Sequence, residues 1–172
     1  MIKDHYNHLP RIKRELDNLS GKAVVVGILP KQSEFLQMIA VVNEYGAHIK
    51  PKKGKYLYVP GPKGKVYQLK SVDIPARSFL RSTYDAKHRK WEHTITAGAH
   101  SIVRSNGEVT ANQVMTALGV TMQKQIRKSI SRKKKPANAP LTVANKGKND
   151  PLVDTGKLGN SIKYKITKRG KI

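Results

Sequence analysis

The apolar positions of this chain fall into blocks of different period. Leu9, Ile12, Leu16 and Leu19 sit at helical spacing and predict a helix over 9–19, with Pro10 in its first turn and Gly21 as its stop. "KAVVVGIL" (22–29) is apolar and rich in β-branched residues, which predicts a buried strand. Ser33 is placed to cap a second helix over 34–46, ended by Gly46, with Phe35, Ile39, Val42 and Val41 as its apolar face; the Val41–Val42 pair also permits a strand ending. "KYLYV" (55–59) and "KVYQL" (65–69) flank "PGPKG" and read as two strands of a projecting hairpin within 47–72.

"DIPARSFLR" (73–81) turns the chain into a helix expected to reach about Thr96, with Leu80, Tyr84, Trp91 and Ile95 on one face, Asp85 and Arg89 as an i,i+4 pair, and Gly98 as its stop. Residues 98–109 are then a loop or weak strand. The clearest pattern lies over 111–130. Thr110 and Gln113 form a capping box, and Ala111, Met115, Leu118, Met122, Ile126 and Ile130 make one continuous stripe. "SRKKKPANAP" (131–140) breaks it, a short turn follows, and "SIKYKITK" (161–168) reads as a final strand. No internal repeat is visible.

Length adds that 172 residues form a single domain, here 1–172, with the hairpin 47–72 and a basic loop 131–150 as its extensions. Charge changes the picture more. There are 34 Lys and Arg against 11 Asp and Glu, a net +23, which attracts polyanions: nucleic acid, acidic protein surfaces or anionic membranes. Residues 47–72 hold seven lysines and no acid, and 109–149 hold nine Lys/Arg and no acid. Lys52, Lys53, Arg132, Lys133, Lys134 and Lys135 are the candidate contacts to DNA phosphates or to a partner. Few aromatics are interleaved with the 132–135 run, so base stacking is not indicated there. With no cysteine, disulfides and thiolate metal sites are excluded. The apolar runs are too short to span a bilayer, and the start of the chain lacks the apolar core of a signal peptide.

Candidate chemistry concentrates on "PLVDTGKLGNSI" (151–162), because Asp-Thr-Gly after apolar residues resembles the catalytic setting of retroviral-type aspartic proteases. A carboxylate dyad needs two such aspartates sharing a proton. One motif per chain works in a homodimer, but only eighteen basic-rich residues follow Asp154, and there is no second Asp-Thr-Gly or Asp-Ser-Gly. The local alternative makes Asp154 an N-cap accepting from Gly156 or Lys157. Thr155 and Gly156 then give a tight turn, Leu158 and Ile162 an inward apolar edge, and Ser161 the turn into the last strand. His5 and His8 with Asp4 have metal-ligand spacing, although an exposed polar face explains them as well. His88 and His93 do not share a helix face. "GPKGKV" (61–66) lacks the spacing of a phosphate-binding loop. No cofactor and no catalytic constellation is indicated. Arg77, a cation in the first turn of a helix, is expected to face solvent or to pair with a carboxylate, either Glu44 or one of a neighbouring subunit.

"AVVNEYGA" (40–47), "IPARSFLR" (74–81) and "PLVDTGKLGNSIKYKI" (151–166), in this order and with a long helix between the last two, resemble the tail-completion and virion-morphogenesis proteins of tailed bacteriophages, the group that includes the phage Mu G-like tail-assembly proteins. The resemblance runs from about Ala23 to Ile166. Ser78 departs from it, standing where the family often has a second proline. The resemblance implies an α+β fold, a small antiparallel sheet packed by two or three longer helices with extended loops. It implies a structural protein of the virion, assembled in the bacterial host cytoplasm. There it forms a homo-oligomeric ring, commonly a hexamer, at the head–tail junction. Its partners would be the neck or connector and the tail-terminator or tail-tube proteins, with packaged DNA within reach and no membrane. Asp154, Thr155, Gly156, Leu158, Ser161 and Ile162 are then a structural motif, and Glu44, Arg77 and Phe79 the candidate subunit interface. Two alternatives stand beside this reading: a basic nucleic-acid-binding protein, and a closely related neck or tail-terminator protein.

Overall fold

The Thr110–Gln113 capping box is made as the sequence implies. The Thr110 N–H donates to Gln113 Oε1 at 2.8 Å, and the Gln113 N–H donates to Thr110 Oγ1 at 3.3 Å. In the computed structural model, which describes residues 7–30 and 33–171, it opens the second of two long helices in an α+β fold. In chain order the elements are α1 (Leu9–Ser20), β1 (Lys22–Gly27), α2 (Glu34–Tyr45), β2 (Ala47–Ile49), β3 (Leu57–Pro60), β4 (Val66–Leu69), β5 (Val72–Ile74), α3 (Arg81–Arg104), α4 (Ala111–Arg132), α5 (Pro140–Lys146), α6 (Lys157–Ser161) and β6 (Lys163–Lys168). A 3-10 turn, Pro62–Gly64, joins β3 to β4.

The expected sheet is realised as three separate antiparallel pairs, β1 with β6, β2 with β5 and β3 with β4. The last two nest in sequence, β2 and β5 flanking the β3–β4 hairpin as a separate pair. These short outer strands carry no run of β-branched residues and left no periodic trace. Internal contacts divide the chain into two compact units. The first holds residues 1–27, 84–125 and 163–172; the second holds 28–83 and 126–162. Two of the four divisions fall inside α3 and α4, and the other two at the end of β1 and the start of β6.

In the first unit, Leu19, Trp91, Ile102, Ala111, Val114, Met115 and Leu118 form one buried cluster. Trp91 satisfies its indole N–H on Gln125 Oε1 at 2.7 Å. Gly98 does not stop α3, which runs on to Arg104 and converts most of the expected 98–109 loop into helix. Gly98 is instead a packing position, since a Cβ there would stand 2.3 Å from Val114 Cγ1. Gly119 does the same for Tyr164, at 2.3 Å from its ring. The alternation of β6 turns Tyr164 and Ile166 toward the helices, with Val24 of β1 opposite Ile166. The other face carries exposed Lys163 and Lys165, so β1 is half-buried rather than the buried strand its composition suggested. Glu15, buried on α1, accepts from the Ala111 N–H at 2.9 Å and supplements the capping box of α4.

In the second unit Ser33 caps α2, its Oγ accepting from the Leu36 N–H at 3.3 Å. The face that α2 turns inward is the expected one only in part: Ile39 and Val42 are half-buried, but Phe35 and Val41 are not turned in. Ala40 and Glu44 are buried and Leu36 and Ile39 half-buried, whereas Phe35, Met38 and Val41 are all more than half exposed. α2 packs on α6. The expected basic loop 131–150 contains a helix, α5, that starts at Pro140 and ends at Gly147 in the left-handed conformation. Among the described residues no helix is long and apolar enough to cross a membrane.

Candidate functional site

Two of the three family-like segments meet at one carboxylate. Gly46 ends α2 at φ 80°, where a side chain would press on the Ile74 carbonyl oxygen and the Ala76 nitrogen at about 3 Å. That close approach brings Glu44 to the start of α3. Its Oε2 accepts from the N–H groups of Phe79 (2.8 Å) and Leu80 (3.0 Å), and its Oε1 from the Arg81 N–H (2.9 Å) and the Ser78 hydroxyl (2.6 Å). These N–H groups have no acceptor within the helix, and the positive end of the helix dipole favours the anion. Arg81 adds its Nε to Glu44 Oε1 at 3.2 Å, donates an NH2 to the Glu44 carbonyl, and lies over the Tyr45 ring at 4.4 Å. Burial raises the Glu44 pKa, but the bonds from Ser78, Leu80, Arg81 and Phe79 outweigh it and hold the carboxyl at about 2.

Arg77 does not pair with Glu44. Its Nε donates to the Pro136 carbonyl and its NH2 to the Ala137 carbonyl, both at 2.8 Å, while its own N–H donates to the Asn43 carbonyl at 2.6 Å. Burial lowers its pKa. The guanidinium thus pins the segment after the basic run 132–135. Glu44, Arg77 and Phe79 are 3%, 7% and 0% exposed within their own chain. They build the interior of their own chain and are not a free surface for a neighbour, which corrects the interface expected of them. Their positions in helix ends and turns hid this, because burial of a charge depends on partners far away in sequence.

The Asp-Thr-Gly segment also differs from expectation. α6 begins after Gly156, which takes φ 78°, and no side chain caps it. Asp154 and Thr155 are exposed. The Asp154 main-chain carbonyl receives Lys148 Nζ at 3.3 Å, but its carboxylate accepts no hydrogen bond from Gly156 or Lys157, so Asp154 is not the cap. The left-handed turn at Gly156 directs the N–H groups elsewhere. What the segment contributes is apolar: Leu152, Leu158 and Ile162 are buried, and Ser161 Oγ donates back to the Leu158 carbonyl. An open groove of about 370 Å³ runs beside it, lined by Leu36, Ile39, Asn43, Lys146, Leu152 and Leu158. Burial lowers the Lys146 pKa and Asp154 opposes that; its Nζ donates to the Asp150 carbonyl at 2.8 Å.

The two basic segments come together. Asn145 Nδ2 of α5 donates to the Pro60 carbonyl of β3 at 2.8 Å. Gly61 leaves no room for a Cβ, which would stand 2.3 Å from the Tyr67 ring and 3.4 Å from Leu141 of α5. α5 therefore braces the hairpin tip. Lys52, Lys53, Arg132, Lys134 and Lys135 are exposed and Lys133 is half-buried; Lys134 pairs with Asp150. The second unit carries 19 Lys and Arg against five Asp and Glu. Of those five, Glu44 is taken by Arg81, Asp73 by His48 and Asp150 by Lys134. Sequence reasoning passed over the hairpin tyrosines, although "KYLYVPGPKGKVYQLK" (55–70) does interleave Tyr56, Tyr58 and Tyr67 with lysines.

Among the described residues no three His, Cys, Asp or Glu side chains approach one another as metal ligands do. Asp4 and His5 lie outside the described residues. No family model, no curated protein and no solved structure matches this chain.

Proposed function

We propose that this chain is a structural protein of a tailed-phage virion that assembles as a homo-oligomeric ring, commonly a hexamer, to complete the head-proximal end of the tail and join it to the neck. The three family-like segments supply the role, and assembly rather than catalysis is the mechanism. The observation that carries the reading is the outward face of α2. Phe35, Met38 and Val41 stand three residues apart at 64%, 53% and 58% exposure, an apolar stripe on a helix whose other side is fixed by Ala40 and Glu44. Leaving such a stripe in water is unfavourable by roughly 25 cal/mol per Å², and a second copy of the chain can cover it. A ring needs a second, different patch on each subunit to receive it.

Native mass spectrometry and cross-linking test the proposal. The wild-type chain is expected as a closed oligomer. The double variant Met38→Glu/Val41→Glu is expected as a folded monomer with unchanged helical circular dichroism. A wild-type chain that stays monomeric at every concentration sinks the reading. So does an oligomer indifferent to the two glutamates. Placement in the virion is tested by co-assembly with tail-tube and connector proteins, which also separates a tail-completion role from the neck or tail-terminator roles.

A further inference from the structure

The β3–β4 ribbon presents two unlike faces. In its register Leu57 pairs with Leu69, Tyr58 with Gln68, Val59 with Tyr67 and Pro60 with Val66. Leu57, Val59 and Leu69 are half-buried, and Tyr67, though 41% exposed, lies against Gly61 near Leu141. The opposite face, Tyr58, Gln68, Pro60 and Val66, is exposed, Tyr58 at 67%. Exposed lysines frame that face: Lys55 and Lys70 at the base, Lys63 and Lys65 at the tip. Among the described residues none of these lysines makes an ion pair, and 47–72 contains no acid at all.

We infer that this ribbon is a docking surface for duplex DNA, with its lysines on the phosphates and the Tyr58–Gln68 pair toward the base edges of the major groove. Charge complementarity favours a polyanion over a second copy of the chain as the occupant, because three of the five acids in the ribbon's own unit are already paired and the chain carries +23. A two-stranded ribbon fits the major groove of B-form DNA, and a glutamine amide matches the donor and acceptor of adenine there. The deep, narrow major groove of A-form RNA does not admit it. The brace from Asn145 and Leu141 holds the tip in place before binding, which limits the ordering cost on association. The inference does not depend on ring assembly.

The experiment is a salt titration of binding to a short labelled DNA duplex by fluorescence anisotropy, with polyglutamate and duplex RNA as competitors. For the wild type, log K is expected to fall linearly with log salt. Lys63→Ala/Lys65→Ala should reduce that slope by about 2, close to one per lost phosphate contact. Tyr58→Ala/Gln68→Ala should weaken binding by about ten- to a hundredfold while leaving the slope unchanged. All four side chains are exposed, and circular dichroism melts check that the variants remain folded. The inference is overturned if the slope ignores the tip lysines, if the Tyr58/Gln68 variant binds as the wild type does, or if polyglutamate or RNA competes as well as DNA. The Met38/Val41 variant addresses assembly alone, so the two readings fail separately.

Discussion

Replacing Glu44 with glutamine keeps the shape of the side chain and removes its charge. In the native chain the two carboxylate oxygens, 3% exposed as a residue, serve three backbone N–H groups, the Ser78 hydroxyl and Arg81 Nε. An amide offers one acceptor oxygen and turns an NH2 toward donors. Whichever way it flips, at least two donors lose their acceptor at the start of α3. Each such loss costs about 1–3 kcal/mol, so Glu44→Gln should destabilise the fold by about 3 kcal/mol near neutral pH. Linkage gives the same size by another route. A carboxyl held at about 2 instead of 4.5 contributes about 3 kcal/mol. The folded pKa is the depressed one, so this contribution is complete above 4.5 and is lost as pH falls from 4.5 through about 2. Urea denaturation of wild type and variant across that window is the assay. The stability gap between them should be constant above pH 4.5 and close toward pH 2. A gap below about 1 kcal/mol at neutral pH, or one that does not change with acid, would refute the assignment of Glu44 as the acceptor that starts α3.

Asp154→Ala should leave thermal stability within about 0.5 kcal/mol, because its carboxylate holds no helix end, whereas Leu158→Ala in the next turn should cost about 2–5 kcal/mol. Gly98→Ala and Gly119→Ala gain about 1 kcal/mol of helix propensity but drive a Cβ to 2.3 Å from Val114 and Tyr164, so guanidinium unfolding should show net losses of about 1–2 kcal/mol. Arg77→Lys cannot reach the carbonyls of Pro136 and Ala137 together, and a drop of about 1–2 kcal/mol in urea unfolding is expected.

What the sequence disclosed was local. The stripe from Ala111 to Ile130, the Thr110–Gln113 box, the Ser33 cap and the hairpin strands each announce themselves within a few residues, and each is present. The misreadings at Gly98 and on α2 are cases where a distant element decides. Gly98 reads as a stop until Val114 is known to lie against it. Phe35 and Val41 read as the inward face of α2 until Glu44, a charge that no periodicity would bury, is found holding the opposite face in place. Asp154 has the chemistry of a cap, but the positive φ at Gly156 removes the N–H groups from its reach. β2 and β5, at three residues each, are too short to show alternation. The candidate surfaces divide the same way. The lysines of 47–72 and 132–135 are plain in composition, while their joining through Asn145 and Leu141 depends on side chains up to 85 positions from their partners.

The hydrogen bonds gathered on Glu44 have a kinetic consequence. The amide protons of Phe79, Leu80 and Arg81 share one acceptor group, so none can open to solvent alone without leaving a buried anion short of donors. Hydrogen exchange at these three positions should therefore proceed through a single opening event, with one common protection factor, rather than fray from the helix end as the first turn of a helix ordinarily does. The beginning of α3 and the end of α2, 35 residues apart along the chain, behave as one cooperative unit.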